Sequence, residues 1–315
     1  MGRDRTVKNN SFQHVYQITC DKGLIFCTVA DCVVLFTLIC IKAIKYNVHI
    51  IALTIMLNHF HIEAAFPSSR SVSMFMNEVT SAFARLYNKH YGLTGQVFHR
   101  PFGSAAKTRD SRIFDNFIYV ENNAKEKKAV VRSEDYRWNF LKYSENNHPF
   151  SVEYDPFEAS KDMQYLVRKV KAKHSERDYI SFELFDSDRY ISLNDKEKAQ
   201  LVDMIISTYN IIDYSYPLKK YGSMERIKDV LENVGGAEYD VRDDYDQEDY
   251  KHYYKMIRIA KEEGYKMTER RYVGVGNNPG QMPPELAARL IKRFEREVNA
   301  SPKEIAKFLH TIPQK

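Results

Sequence analysis

The chain has 315 residues, of which 43% are hydrophobic and 28% charged, with 47 Lys and Arg against 42 Asp and Glu for a net charge of +5. That balance excludes a wholly disordered chain and supplies enough apolar material for two domains. The longest apolar run, residues 33–41 (VVLFTLICI), is far short of the ~20 residues that cross a bilayer, and the start MGRDRTVKNNSFQ has no apolar signal core, so a cytoplasmic protein without a membrane partner is expected.

In chain order, residues 14–19 (HVYQIT) alternate as a strand does, and residues 31–46 predict a mostly buried helix. Residues 48–55 (VHIIALTI) are strand-like, MLN makes a turn, and residues 59–66 return as the second strand of a hairpin. Residues 71–91 are helical, with Met74, Phe75, Val79, Phe83 and Leu86 at spacings of three and four. Residues 95–104 read as extended and residues 109–128 as a further helix. The order β–α–β–β–α–(β)–α predicts an α+β fold, an antiparallel sheet with helices packed on one face.

The tract NNHP at 146–149 marks a domain boundary near residue 150. Residues 151–315 are mostly helical. Asn194 with Glu197 makes a capping box for a helix ending near Asp213, and Ser223 opens another that Gly235 and Gly236 stop. Residues 249–263 form a helix ending at Gly264, and residues 273–284 (VGVGNNPGQMPP) form a loop. Two more helices span 285–298 and 302–309, the last opened by Ser301, Pro302 and Glu304.

The four cysteines, Cys20, Cys27, Cys32 and Cys40, sit in one stretch of 21 residues. They lack both the close pairs of a zinc ribbon and the spread of a disulfide framework, which predicts reduced thiols. Charge is uneven: residues 1–150 carry +7 (19 basic, 12 acidic) and the remainder −2 (28 basic, 30 acidic). The basic excess suits a polyanion, and equally a solvated surface.

The sharpest local feature is His59-Phe60-His61. Alternation along a strand turns both imidazoles the same way, so together they can hold a divalent cation. Two ordinary surface histidines would satisfy the same short motif. Glu63 continues that face and could supply an oxygen ligand or serve only as a surface carboxylate. In the helix over 109–128, Tyr119 and Asn123 are four apart and share a face. A tyrosine beside a metal can attack a phosphodiester, and the amide could complete the coordination. With 22 tyrosines in the chain, Tyr119 alone is no better a candidate than Tyr87 or Tyr136.

Taken together, HVYQIT … NVHIIALTIMLNHFHI … SMFMNEVTSAFARLYNKHYGLTGQVFHRPF … FIYVENNAKEKKAVVRSEDYRWNFLKY, spanning about residues 12–145, resembles the single-tyrosine HUH transposases, closest to the REP-associated tyrosine transposases. The family's histidine pair falls on His59 and His61, its nucleophile on Tyr119, and its metal-binding polar residue on Asn123. Its Gly-x-hydrophobic-aromatic block falls on residues 95–98 and its Tyr-x-Trp block on residues 136–138. Three positions depart from the family pattern: Leu57 stands for Pro, Ala124 follows Asn123 where Asn-Pro is usual, and Glu63 replaces an apolar residue.

The resemblance implies a ferredoxin-like nuclease domain, Mg²⁺ or Mn²⁺ as cofactor, and cleavage and rejoining of single-stranded, hairpin-flanked DNA through a 5′-phosphotyrosine. Relatives include homodimers and monomers. Arg85, Arg100, Lys107, Arg109 and Arg112 are candidate phosphate contacts, and Phe98 or His99 a candidate base-stacking platform. Outside the resemblance, residues 286–309 (LAARLIKRFEREVNASPKEIAKFL) look like the opening of a helix-turn-helix without its recognition helix, and the acidic stretch 238–249 argues against DNA contact there. Two functions from different classes remain: a metal-dependent DNA transposase, or a domesticated DNA-hairpin-binding protein that no longer cleaves. Retention of all four site residues favours the enzyme.

Overall fold

The computed structural model describes residues 5–6, 11–99, 101–235, 250–263 and 284–309. Their N-terminal part is built on a five-stranded sheet: β1 (Arg5–Thr6), β2 (Ser11–Ile18), β3 (His49–Met56), β4 (His59–Phe66) and β5 (Gly103–Lys107), in the order β1-β5-β2-β4-β3. The four long strands are antiparallel, and the short β1 runs parallel to β5. Leu57 and Asn58 form the turn between β3 and β4. The register of that hairpin sets His61 opposite Thr54 on one side and Tyr16 on the other, and sets Glu63 opposite His14.

Three helices cover the sheet: α1 (Val29–Tyr46), α2 (Ser69–Tyr91) and α3 (Asp110–Glu126). Thr28 and Asp31 close a reciprocal capping box at the start of α1, and Ser68 with Ser71 does the same for α2. Asn47 and Gly92 end these helices in the left-handed region, at φ 52° and 63°. The expected α+β antiparallel sheet with packed helices is present, with α1 and α2 on one face and α3 on the other. Phe60, Ile62 and Phe66 turn toward α1 and α2, where the Phe66 and Phe75 rings lie 5.7 Å apart. His59 and His61 turn to the opposite face, which α3 covers, with the Thr54 hydroxyl donating to the Val120 carbonyl (2.8 Å). The period of two separates apolar from polar side chains along β4, so each face needs its own cover. The extended segment expected over 95–104 is mostly loop, bridged once between Phe98 and Thr19, before β5 begins.

Past residue 150 come α4 (Lys161–Ser175), α5 (Phe182–Phe185), α6 (Asp188–Ser192), α7 (Asp195–Tyr209), α8 (Ser215–Tyr221), α9 (Met224–Asn233), α10 (Tyr250–Glu262), α11 (Pro284–Arg293) and α12 (Pro302–Leu309). The capping of α7 by Asn194 and of α9 by Ser223 matches expectation, but α7 stops at Tyr209, and the amide of Asp213 bonds the Ile50 carbonyl at 2.9 Å. A single apolar cluster joins α1, α2 and the sheet to α4, α7 and α9. The amide of Ile180 reaches the Thr37 hydroxyl inside α1 (3.1 Å). The carbonyls ending α9 are received by α3, where Asn122 and Lys125 both donate to Leu231 (2.9 and 3.0 Å).

A second apolar cluster sets α10, α11 and α12 against Met56, Leu57, Ala124 and Tyr136. The segment read as a partial helix-turn-helix is α11, a π turn over Phe294–Val298, and α12, with the Phe294 and Phe308 rings 5.1 Å apart inside that cluster. The acidic stretch 238–249, Gly264 and nearly all of the expected loop 273–284 lie outside the described residues. All four cysteines are reduced thiols. No helix among the described residues is long and apolar enough to cross a membrane.

Candidate active site

His59 and His61 project from β4 toward α3, and Asn123 on α3 reaches both. Its amide nitrogen donates to His61 Nε2 (3.3 Å), and its amide oxygen lies 3.3 Å from His59 Nε2. Tyr119, one turn earlier, stands edge-on to His61 with ring centroids 5.5 Å apart. His14, from the neighbouring strand β2, stacks on His61 (5.1 Å) and presents its Nε2 to His61 Nδ1 at 2.9 Å. The four expected residues therefore meet at one point, and all are buried; Tyr119 is the most accessible at 8%.

Burial disfavours the charged imidazole, and it lowers both histidines. His59 is pushed down to about 3, with the Lys127 charge adding to the effect of burial. His61 is also held well below its usual value, by burial first and then by its histidine neighbours. Both rings are therefore neutral near pH 7, each with one proton to place.

For His59 that placement is set by Asn58. The Asn58 amide nitrogen donates to the Lys22 carbonyl (3.1 Å), which turns its oxygen toward His59 Nδ1 at 2.6 Å, and the Tyr250 hydroxyl donates to the same oxygen. His59 spends its proton on Asn58. Its Nε2 then carries a lone pair and faces the Asn123 oxygen, two acceptors with no hydrogen between them. A cation relieves that repulsion. Two imidazole nitrogens and an amide oxygen form a donor set for a divalent cation.

Glu63, a further candidate ligand by sequence, does not close the set: among the described residues no three His, Cys, Asp or Glu side chains are placed to hold one metal ion together. Glu63 is fully buried opposite His14, and its charge, after burial, helps raise the Glu121 carboxyl. Fully enclosed on a central strand, it is not the surface carboxylate that its sequence position also allowed.

The expected DNA contacts scatter. Arg85 on α2 and Arg109 at the start of α3 are exposed, and Arg112 is half-buried. Lys107 is buried on β5 at 2% exposure, which withdraws its ammonium from a passing phosphate. Phe98 is also no stacking platform, because its ring packs among Phe26, Phe60 and Phe83 in the core. His99 is exposed and pairs through its backbone with Ile18 (2.9 Å). Arg100 lies outside the described residues.

Sequence reasoning missed His14, Asn58, Tyr250, Lys127 and Lys307, the last two of which set positive charge on His59. Lys127 comes four residues after Asn123 and eight after Tyr119, a helical spacing legible in advance. Tyr250 and Lys307 are remote in sequence and carried no signal.

The α+β sheet thus offers a His-x-His strand to a tyrosine-bearing helix. Residues 28–123, from the N-cap of α1 to Asn123, match the family described as "Transposase IS200 like". Among solved structures, one described as "Structure of the REP associates tyrosine transposase bound to a REP hairpin" is similar at 14% identity and a TM-score of 0.38, over 44% of this chain and 81% of that one. No curated protein matches the chain.

Proposed function

We propose that the chain is a metal-dependent transposase that cuts and rejoins single-stranded, hairpin-flanked DNA, with Tyr119 as nucleophile. The observation that carries this reading is the meeting of Tyr119 with His59, His61 and Asn123, which joins a nucleophile to a divalent-ion donor set. The tyrosine oxygen attacks the phosphorus, its proton is lost, and the leaving 3′ oxygen takes up a proton. The product is a 5′-phosphotyrosine with a free 3′-OH, and attack by a second 3′-OH reverses the step without a nucleotide cofactor. A bound Mg²⁺ or Mn²⁺ would supply Lewis-acid polarisation of the scissile phosphate. Asn123 and the two neutral imidazoles would hold it, and Lys127 and Lys307 would add positive charge near the phosphate. Arg85, Arg109 and Arg112 are the exposed or half-buried basic groups left for the DNA backbone.

A second reading is DNA-hairpin binding without cleavage, and the enclosure of the site favours it. With Tyr119 at 8% exposure and both histidines at 1% or less, a phosphate reaches the nucleophile only if neighbouring side chains move.

A cleavage assay on end-labelled single-stranded DNA, containing the hairpins that flank the gene, separates the two. With Mn²⁺ or Mg²⁺, the native chain is expected to form a covalent protein–DNA adduct, and Tyr119→Phe and His61→Ala are expected to form none. Hairpin binding without any adduct from the native chain would replace the first reading by the second.

A further inference from the structure

The geometry points to His14 as a positioning residue that locks His61 in the tautomer able to bind a metal. This rests on the proposed metal site and adds a residue to it. His14 lies on β2, two residues from Tyr16, the direct partner of His61, so it is the diagonal neighbour that a long side chain can reach. Its other cross-strand neighbour is Ala105 on β5, whose small side chain leaves the ring room to lean over His61. The resulting contact is a fully buried one, His14 Nε2 to His61 Nδ1 at 2.9 Å, with the rings inclined by only 22°.

One hydrogen lies between those two nitrogens, and its owner decides what His61 can do. If it belongs to His14, His61 must carry its own proton on Nε2, and the nitrogen that faces Asn123 cannot be a ligand. If it belongs to His61, the Nε2 lone pair is available. Asn123 selects the second arrangement, because its amide nitrogen donates to His61 Nε2 (3.3 Å) and a donor cannot face an N–H. The reversed amide would turn the Asn123 nitrogen toward His59 and its oxygen toward a protonated His61 Nε2, which abolishes the ligand set. His61 therefore donates from Nδ1, and His14 accepts at Nε2 and carries its own proton on Nδ1. This is the role that a carboxylate or a carbonyl fills beside most metal-binding histidines. Asn58 does the same for His59, so each ligand has a dedicated acceptor on its far nitrogen.

The test uses the full chain with ¹⁵N-labelled histidine and saturating Mg²⁺, which is diamagnetic and holds the Asn123 oxygen toward His59. Two-bond proton–nitrogen correlations, with the His61 signals assigned by difference from His61→Gln, are expected to show His61 protonated on Nδ1. His14→Phe keeps a stacking ring and removes the acceptor. It is expected to move the His61 proton to Nε2 and to weaken Mn²⁺ binding, read by titration calorimetry, by about 10–100-fold. His14→Gln restores an acceptor oxygen and is expected to recover most of that affinity.

A native His61 protonated on Nε2 would overturn the inference by itself, whether or not the variants fold. Mn²⁺ binding by His14→Phe equal to that of the native chain would overturn the role of His14 alone. A native chain that takes up no Mn²⁺ would instead overturn the metal reading beneath it.

Discussion

Two neutral imidazoles sealed inside a protein bind its stability to pH. In the unfolded chain His59 takes up a proton near pH 6.5, whereas in the fold it stays neutral down to about pH 3. Below pH 6.5 the unfolded state therefore binds more protons, and stability falls as pH falls, by about 1.4 kcal/mol per pH unit for this one group. His61 acts in the same direction. Asp31 and Glu121 act in the opposite one: burial raises the Asp31 carboxyl to about 6 and holds that of Glu121 well above its usual value, so protonation favours the fold, for Asp31 between 3.8 and about 6 and for Glu121 from its raised value down to 4.5. Urea unfolding of metal-free Glu121→Gln, which removes that opposing carboxyl, is expected to show a midpoint that drops from pH 7 to pH 6, before Asp31 offsets part of the loss. A midpoint that is flat or rising over that interval would mean that the histidines are not held neutral as the geometry requires. The reason they were found at all is local: a spacing of two on a strand and of four on a helix is written in the sequence.

At the scale of elements, the site depends on how closely β5 approaches β2. Gly103 stands directly opposite Tyr16, and a methyl group added there would lie 2.0 Å from the tyrosine ring. That ring is itself 6.0 Å from the ring of His61. Gly103→Ala must displace Tyr16, whose ring borders His61, with an expected loss of about 1–3 kcal/mol in a denaturant titration and weaker Mn²⁺ uptake than the native chain. Retained stability with native metal affinity would show that the ring has room to swing elsewhere. Both hairpin strands, their turn and the helices α1 to α3 were legible from period and turn residues, because each is specified by its own residues. The face that α3 would cover was not, since periodicity says which side of a helix is apolar and not which surface receives it.

For the whole molecule, the boundary expected near residue 150 does not interrupt the core. Helix α1 is buried on every side from Asp31 to Ile41: Phe36, Leu38 and Ile39 are fully enclosed, and α7 packs against it from beyond that boundary. Removing residues 151–315 would expose this surface and leave the Thr37 hydroxyl and the Ile50 carbonyl without the amides that reach them. A fragment of residues 1–150 is expected to lack a cooperative thermal transition and to bind a hydrophobic dye, while the full chain melts cooperatively. A fragment that melted cooperatively near the temperature of the full chain would show that the N-terminal domain carries its own stability.

The sequence by itself determined the α+β order of the first 150 residues, the pairing of His59 with His61, and the sharing of one face by Tyr119 and Asn123, because these are consequences of backbone period. Only the tertiary structure decided which residues surround them. His14 arrives through strand register, Asn58 through the turn it closes, and Tyr250 through a helix nearly two hundred residues away. Phe98 and Lys107, attractive as DNA contacts by residue type, were withdrawn into the interior. Burial is set by what packs over a position, and that information lies in the other elements of the chain rather than in the position itself.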